Sequence, residues 1–410
     1  MRIASEAQIA GALGGIPGTS PRVVVSGNLA TPWRLVRLLE DTVASSTVFV
    51  LNPRPGWSES SGVTIETPFV GPGCRSCASV DYLPMRLSLV PRLFETTRQP
   101  DAVLVQTSMP RGDRVSLGIE VNIMPAAIEA VRRRGGLVIA QVNEQMPYTF
   151  GDGEIAVDDI DLALEDDAAL PQLERTAPDR ASSEIADHIV GYACDGGTIQ
   201  SGIGKIPDSV LGRLRSFRGL GVWSEMVSDG VMELERSGSM DQDRTLETTF
   251  LCGTTELYAW ANENHRLRVR RTEVVNDPGR IARQPAMLSI NAALQVDLYD
   301  QANASHVRGR IYSGFGGQPD FVSGALHSPG GHAIVGLHAW HDGSDTSTIV
   351  PVLSSPATSF QHSVVVTEHG AAELFGRTEA EQASVLIAKA ADPRAREELS
   401  VAAGGMALGR

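Results

Sequence analysis

Val23-Val24-Val25-Ser26-Gly27-Asn28-Leu29-Ala30-Thr31-Pro32 and Thr198-Ile199-Gln200-Ser201-Gly202-Ile203-Gly204-Lys205-Ile206-Pro207 follow one plan. Each reads as a short apolar strand, an S-G-x-x-x-x-P loop and the start of a helix. Proline suits a first helical turn, where no backbone N–H is needed. The match has three fixed positions, so alone it is only a hint of two copies of one α/β domain. The flanking sequence strengthens it. In the first half, Thr47–Leu51, Ala102–Val105 and Leu137–Ala140 read as further buried strands. Helical patterns over 32–40, 83–96 and 125–134 separate them. In the second half, strands are expected at 198–200, 221–223, 249–251, 333–335, 349–352 and 364–366, with helices over 207–217 and 379–390. Strands alternating with helices imply βαβ units and mostly parallel sheets.

The chain has 410 residues, enough for two domains, and 42% of them are apolar, enough for sizeable cores. The acid-rich stretch Asp152 to Asp167, with Pro171 and Pro178 after it, reads as an exposed connection carrying a strand or helix of its own. The expected division is 1–180 and 181–410. A net charge of −14 argues against a general nucleic-acid binder. The apolar runs are too short to cross a bilayer, and Met1 to Glu6 lacks the apolar core of a secretion signal. A cytoplasmic protein without membrane or nucleic-acid partners is therefore the expectation.

Several segments carry chemically useful residue types. The loop Gly202-Ile203-Gly204-Lys205-Ile206-Pro207 leads into a helix N-terminus, which suits an anion, or it is a plain turn. Lys205 is one of only two lysines, beside Lys389. Gly314-Phe315-Gly316-Gly317-Gln318-Pro319-Asp320 is a second glycine loop. It reads either as a tight turn or as a place where backbone N–H groups approach a ligand. Glu225, in Trp223-Ser224-Glu225-Met226, follows a strand whose carboxyl end points to the ligand crevice of an open α/β sheet. Partial desolvation there would raise its pKa and make the ionised form more reactive. The same residue fits a structural acid. Arg266 to Arg271 alternates like a half-exposed strand with a basic face, open to phosphates or to solvent. Cys74-Arg-Ser-Cys77 has C-x-x-C spacing but no second pair to complete a zinc site, so free thiols are expected. His327, His332, His338 and His341 lack an acidic partner fixed by sequence, and no metal is expected.

Together these segments resemble the acetyl-CoA hydrolase/transferase family. Matching stretches include Val80–Pro84, Val90–Phe94, Ser116–Gly118 and Ala140–Pro147 in the first half. In the second half they include Gly202–Asp208, Ser224–Gly230, Val275–Pro278, Ser289–Asn291, Gln295–Leu298, Ser313–Phe321, Ile349–Leu353 and Val366–Gly370. The resemblance implies two similar open α/β domains with mostly parallel sheets and the active site between them. It makes Glu225 the nucleophile. It gives Gly202, Ile203, Gly204, Lys205, Ile206, Ser313, Gly316 and Gly317 to coenzyme A, and Gly27, Asn28, Gln141 and Asn143 to the acyl side. It implies a CoA transferase acting on a small acyl-CoA and a carboxylate, through a glutamyl-CoA thioester and without a tightly bound cofactor. An acyl-CoA hydrolase on the same scaffold and an inactive CoA-binding module are the alternatives. A homodimer or homotetramer is expected. His327-Ser-Pro-Gly-Gly-His332 departs from the family, which has lysines in the matching segment.

Overall fold

The valine run Val23 to Val25 lies inside an eight-stranded sheet. A computed structural model describes every residue except 59–61, 76, 78, 175, 356, 358–360, 407 and 409–410. The strand order is Arg2–Ile3, Leu162–Asp166, Leu137–Asn143, Ala102–Thr107, Arg22–Val25, Ser46–Val50, Val63–Thr67 and Val80–Tyr82. Every neighbouring pair is parallel. A parallel sheet covered on both faces needs continuous apolar strands rather than alternating ones. Val23 to Val25, Val48 to Val50 and Ala102 to Val105 are accordingly all buried. Helices Trp33–Thr42 and Met124–Arg133 pack on the sheet.

A second sheet runs in the order Gly221–Val222, Thr198–Ser201, Met287–Ala292, His332–Gly336, Val364–Thr367 and Gly370–Glu373. The first five strands are parallel, and Gly370–Glu373 turns back as an antiparallel edge. In both sheets the first strand of the repeat is flanked on each side by a strand that follows it in sequence. Arg22–Val25 sits between 46–50 and 102–107, and Thr198–Ser201 between 221–222 and 287–292. Such a strand lies where the order reverses, and loops at its carboxyl end are the usual ligand site of an open α/β sheet. Both S-G loops occupy that position. The mixed α/β architecture with mostly parallel sheets is thus the expected one. On the second sheet, Gln318–His327 packs on 287–292 and 332–336. The C-terminal turns bury Leu386 and Leu399 in one cluster with Val365 and Leu374.

The chain divides into two compact units. The first comprises Met1–Glu174, Thr245–Val275 and Tyr312–Gly316; the second comprises Arg175–Arg244, Asn276–Ile311 and Gly317–Arg410. Two pieces of the second half of the sequence therefore belong to the first unit. Leu246–Thr248 and Leu267–Val269 join Phe150–Gly151 in a three-stranded parallel sheet. The acid-rich stretch differs from its sequence reading. Leu162–Asp166 is an inner strand of the large sheet, not part of an exposed connection. Three adjacent apolar side chains, Leu162, Ala163 and Leu164, are buried, and the acids fall at its ends. Asp161 pairs with Arg132 at 2.8 Å.

Candidate active site

Glu225 is positioned by the second unit's sheet. The Trp223 N–H donates to the Ile199 carbonyl at 3.1 Å, continuing the 198–201/221–222 pairing by one residue. The Ser224 hydroxyl then donates to the Ser201 carbonyl at 3.2 Å and accepts from the Ser201 N–H at 3.3 Å. These bonds tie the segment carrying Glu225 to the start of the Gly202–Ile206 loop. The Glu225 side chain is held from the other side by two groups that are distant in sequence. Asn276 Nδ2 donates to Oε2 at 2.9 Å. The Gly317 backbone N–H also donates to the carboxylate.

Gly317 is needed for its missing side chain. A Cβ there would lie 1.8 Å from Glu225 Oε2 and 2.3 Å from Asn276 Nδ2. Its φ of −88° is open to any residue, so space and not backbone strain demands glycine. Gly317 caps the Gln318–His327 helix, and Pro319 sits in its first turn. The free N–H groups and positive dipole end of that helix meet the carboxylate.

The residue is half-buried as a whole, yet protein is packed densely around its carboxyl. That burial pushes the Glu225 pKa up to about 7, and the charge of Asp320 adds to the rise. The bonds from Asn276 and Gly317 oppose it. The group therefore titrates near neutrality, where a carboxylate is both available and poorly solvated. Nearby, Gln318 is buried and its Nε2 makes no hydrogen bond to a described residue.

The Gly202–Ile206 loop belongs to the same unit. Added Cβ atoms at Gly202 or Gly204 would meet nothing within 4 Å, so the backbone there is approachable. Gly204 has φ of +127°, which requires glycine, and it begins the Lys205–Arg213 helix. Ile203 is 46% exposed. Lys205 Nζ pairs with Asp179 at 3.0 Å. Asp179 caps the Arg180–Val190 helix through the Ser182 N–H. That N–H, with Lys205, holds the Asp179 carboxyl well below the usual range.

The remaining expected site residues lie in the first unit. The Ser313 carbonyl accepts from the Val70 N–H at 3.0 Å, and the Gly316 carbonyl from the Leu87 N–H at 3.0 Å. Gly27 lies so close to Leu51 that a Cβ would be 2.1 Å from its carbonyl oxygen. Asn28 adopts a left-handed φ of 48°. Its amide donates to Glu120 at 2.7 Å and accepts from Asn52 at 2.8 Å. Gln141 donates to Asp166 at 2.6 Å and accepts from the Arg34 N–H at 3.2 Å. Asn143 donates to Gln106 and to the Ala168 carbonyl, each at 2.8 Å. These amides fasten the carboxyl ends of the strands to one another.

Other sequence features have structural roles. Leu267 and Val269 are buried, while Arg270 pairs with Glu247 at 2.8 Å and Arg271 with Glu129 at 2.8 Å. Cys74 and Cys77 are free thiols, donating to the carbonyls of Gly71 and Gly73. Burial raises the Cys74 pKa to about 11. No group of three or more His, Cys, Asp or Glu side chains among the described residues is arranged to hold a metal. None of the helices among the described residues is long and apolar enough to cross a membrane. Sequence reasoning assigned no role to Asn276 or Asp320. The Val275-Asn276-Asp277-Pro278 stretch was the available signal, since Asp277 caps the helix that starts at Pro278 and so fixes the residue before it.

A desolvated carboxylate held by two N–H donors at the carboxyl end of a strand has the character of an enzyme's acid, base or nucleophile. Residues 59–173 match the acetyl-CoA hydrolase/transferase N-terminal domain, and residues 253–403 match the C-terminal domain. The chain belongs to the acetyl-CoA hydrolase/transferase family, whose substrate is coenzyme A in thioester form. It is 39% identical to a 4-hydroxybutyrate coenzyme A transferase of Clostridium kluyveri, over 81% of this chain and 80% of that one. It is 32% identical to a succinyl-CoA:acetate/propanoyl-CoA:succinate CoA transferase of Fasciola hepatica, over 93% and 84%. The crystal structure of RipA from Yersinia pestis superposes with a TM-score of 0.91 at 26% identity, covering 99% of this chain and 97% of that one.

Proposed function

We propose that the enzyme is a CoA transferase that moves CoA from a small acyl-CoA to a carboxylate acceptor, with Glu225 as nucleophile. The arrangement of Glu225, Asn276 and the Gly317 N–H carries this reading. A carboxylate with a pKa near 7, fixed by two N–H donors, suits nucleophilic attack and suits stabilising charge on its own carbonyl oxygen. The Glu225 carboxylate attacks the thioester carbonyl, the C–S bond breaks, and CoA leaves as thiolate. The acyl-glutamyl anhydride then takes the thiolate at the glutamyl carbonyl. The donor carboxylate leaves and a glutamyl-CoA thioester remains. The acceptor carboxylate attacks that thioester, giving a second anhydride and thiolate. Return of the thiolate to the acyl carbonyl forms the new acyl-CoA and regenerates Glu225.

In this reading Asn276 and Gly317 donate to the oxyanion that forms each time the glutamyl carbonyl is attacked. Gly202 to Ile206, Ser313, Gly316 and Gly317 serve CoA, whose remote contacts position the thioester. Gly27, Asn28, Gln141 and Asn143 shape the acyl side. The nucleophile is carried by the domain of the second half, 181–410, and the enzyme works in the cytoplasm as a homodimer or homotetramer.

The test is mass spectrometry of the protein after incubation with acetyl-, propionyl- and butyryl-CoA, with borohydride trapping and peptide mapping. A CoA adduct, or its reduction product, is expected on the Glu225 peptide and absent from Glu225→Gln. Added carboxylates should then yield new acyl-CoA. Free thiol without an adduct would move the reading to direct hydrolysis, and CoA binding without either product would move it to an inactive binding module.

A further inference from the structure

The second unit has a cavity of about 240 Å³ whose chemistry the reaction does not use. His332 begins the His332–Gly336 strand, and Glu373 pairs with Val364, the first residue of Val364–Thr367. The cavity therefore opens at the amino ends of the parallel strands. Glu225 follows the carboxyl end of Gly221–Val222 in the same sheet, so the two sites occupy opposite edges of it.

The lining combines one carboxylate with the aromatic rings of Tyr192, His332 and Phe375. Tyr192 donates its hydroxyl to Glu373 at 3.3 Å, and its ring stands edge-on to His332 with centroids 5.1 Å apart. Phe375 is 68% exposed at the rim, and Leu326 and Val364 give apolar surface. Glu373 makes no ion pair among the described residues. The nearest basic neighbour in sequence, Arg377, donates to the Glu373 backbone carbonyl instead. Burial lowers the His332 pKa, against the pull of the Glu373 carboxylate.

We infer that this cavity is a binding site for a small organic cation, an ammonium group carrying a compact apolar or aromatic body. The carboxylate attracts the charge, the aromatic rings attract it through their quadrupoles, and the apolar wall takes the body. A single carboxylate supplies too few hard ligands for a metal ion. The volume lies below the roughly 300–1,000 Å³ of drug-sized pockets, which fits a small amine. The inference does not depend on the transferase reading.

Ligand-observed NMR titration of the full-length protein tests it, with benzylammonium and tetramethylammonium as probes and benzyl alcohol and benzoate as controls. Both cations should bind saturably, and both controls at least ten-fold more weakly. Glu373→Gln and Phe375→Ala, each at an exposed side chain, should each raise Kd for benzylammonium ten-fold or more. Glu225→Gln should leave that Kd unchanged, which separates this site from the catalytic one. Absence of saturable binding, equal binding of benzyl alcohol, or an unchanged Kd in Glu373→Gln would overturn the assignment.

Discussion

At Glu225 burial of the carboxyl costs stability. Its folded pKa of about 7 lies above the ordinary value of 4.5, so the folded protein holds the proton more tightly than the unfolded chain. Stability therefore falls as pH rises between 4.5 and 7. Below that window the penalty is absent, and above it the penalty is complete, up to about 3 kcal/mol. Glu225→Gln removes the charge and should gain that stability progressively. Urea midpoints of both proteins from pH 4.5 to 8 check this, and a difference that stays constant with pH would contradict it. On the proposed mechanism kcat/KM should rise with pH around 7, because the ionised form would be the one to attack. The placement of Glu225 after a strand was legible because strand and acid are adjacent, whereas its role as nucleophile came only from the family resemblance. Its holders were harder to read, because Asn276 and Gly317 lie 51 and 92 residues further along.

Elements with a single strong pattern were legible. The apolar runs at Arg22–Val25, Ser46–Val50, Ala102–Thr107 and Leu137–Asn143 became strands, and the two S-G loops follow equivalent strands of two sheets. In the acid-rich stretch a strand or helix was expected, but the inner place of Leu162–Asp166 in the large sheet was not legible, because three apolar residues between acids read as exposed. Charge at the strand ends masks a buried centre, and only pairing with Arg2–Ile3 and Leu137–Asn143 reveals it. The Gln318–His327 helix was also obscured, since Gly316 and Gly317 suggest only a loop. Leu164→Ala separates the two readings of the strand. In an inner strand it should cost about 2–5 kcal/mol in urea unfolding. An exposed connection would lose no more than about 0.5 kcal/mol.

Across the whole molecule, the sequence suggests a cut near 180, while contacts draw the first unit from three separate stretches. The reason is local pairing that no composition change marks. Val121 and Asn122 donate their N–H groups to the Thr249 carbonyl, at 3.1 and 3.2 Å. Tyr148 donates its N–H to Asn262 at 2.8 Å, and Phe150–Gly151 pairs with Leu267–Val269. The Val70 N–H is satisfied by Ser313. A fragment ending at 180 keeps all eight strands of the large sheet yet loses every one of these partners. It leaves buried N–H groups without acceptors and strips cover from apolar residues such as Val121 and Tyr148. Residues 1–180 expressed alone should therefore unfold at markedly lower urea than the full chain, over a broadened transition, and bind a hydrophobic dye. A sharp transition without dye binding would mean that the eight-stranded sheet is self-sufficient and that Thr245–Val275 and Tyr312–Gly316 contribute little to its stability.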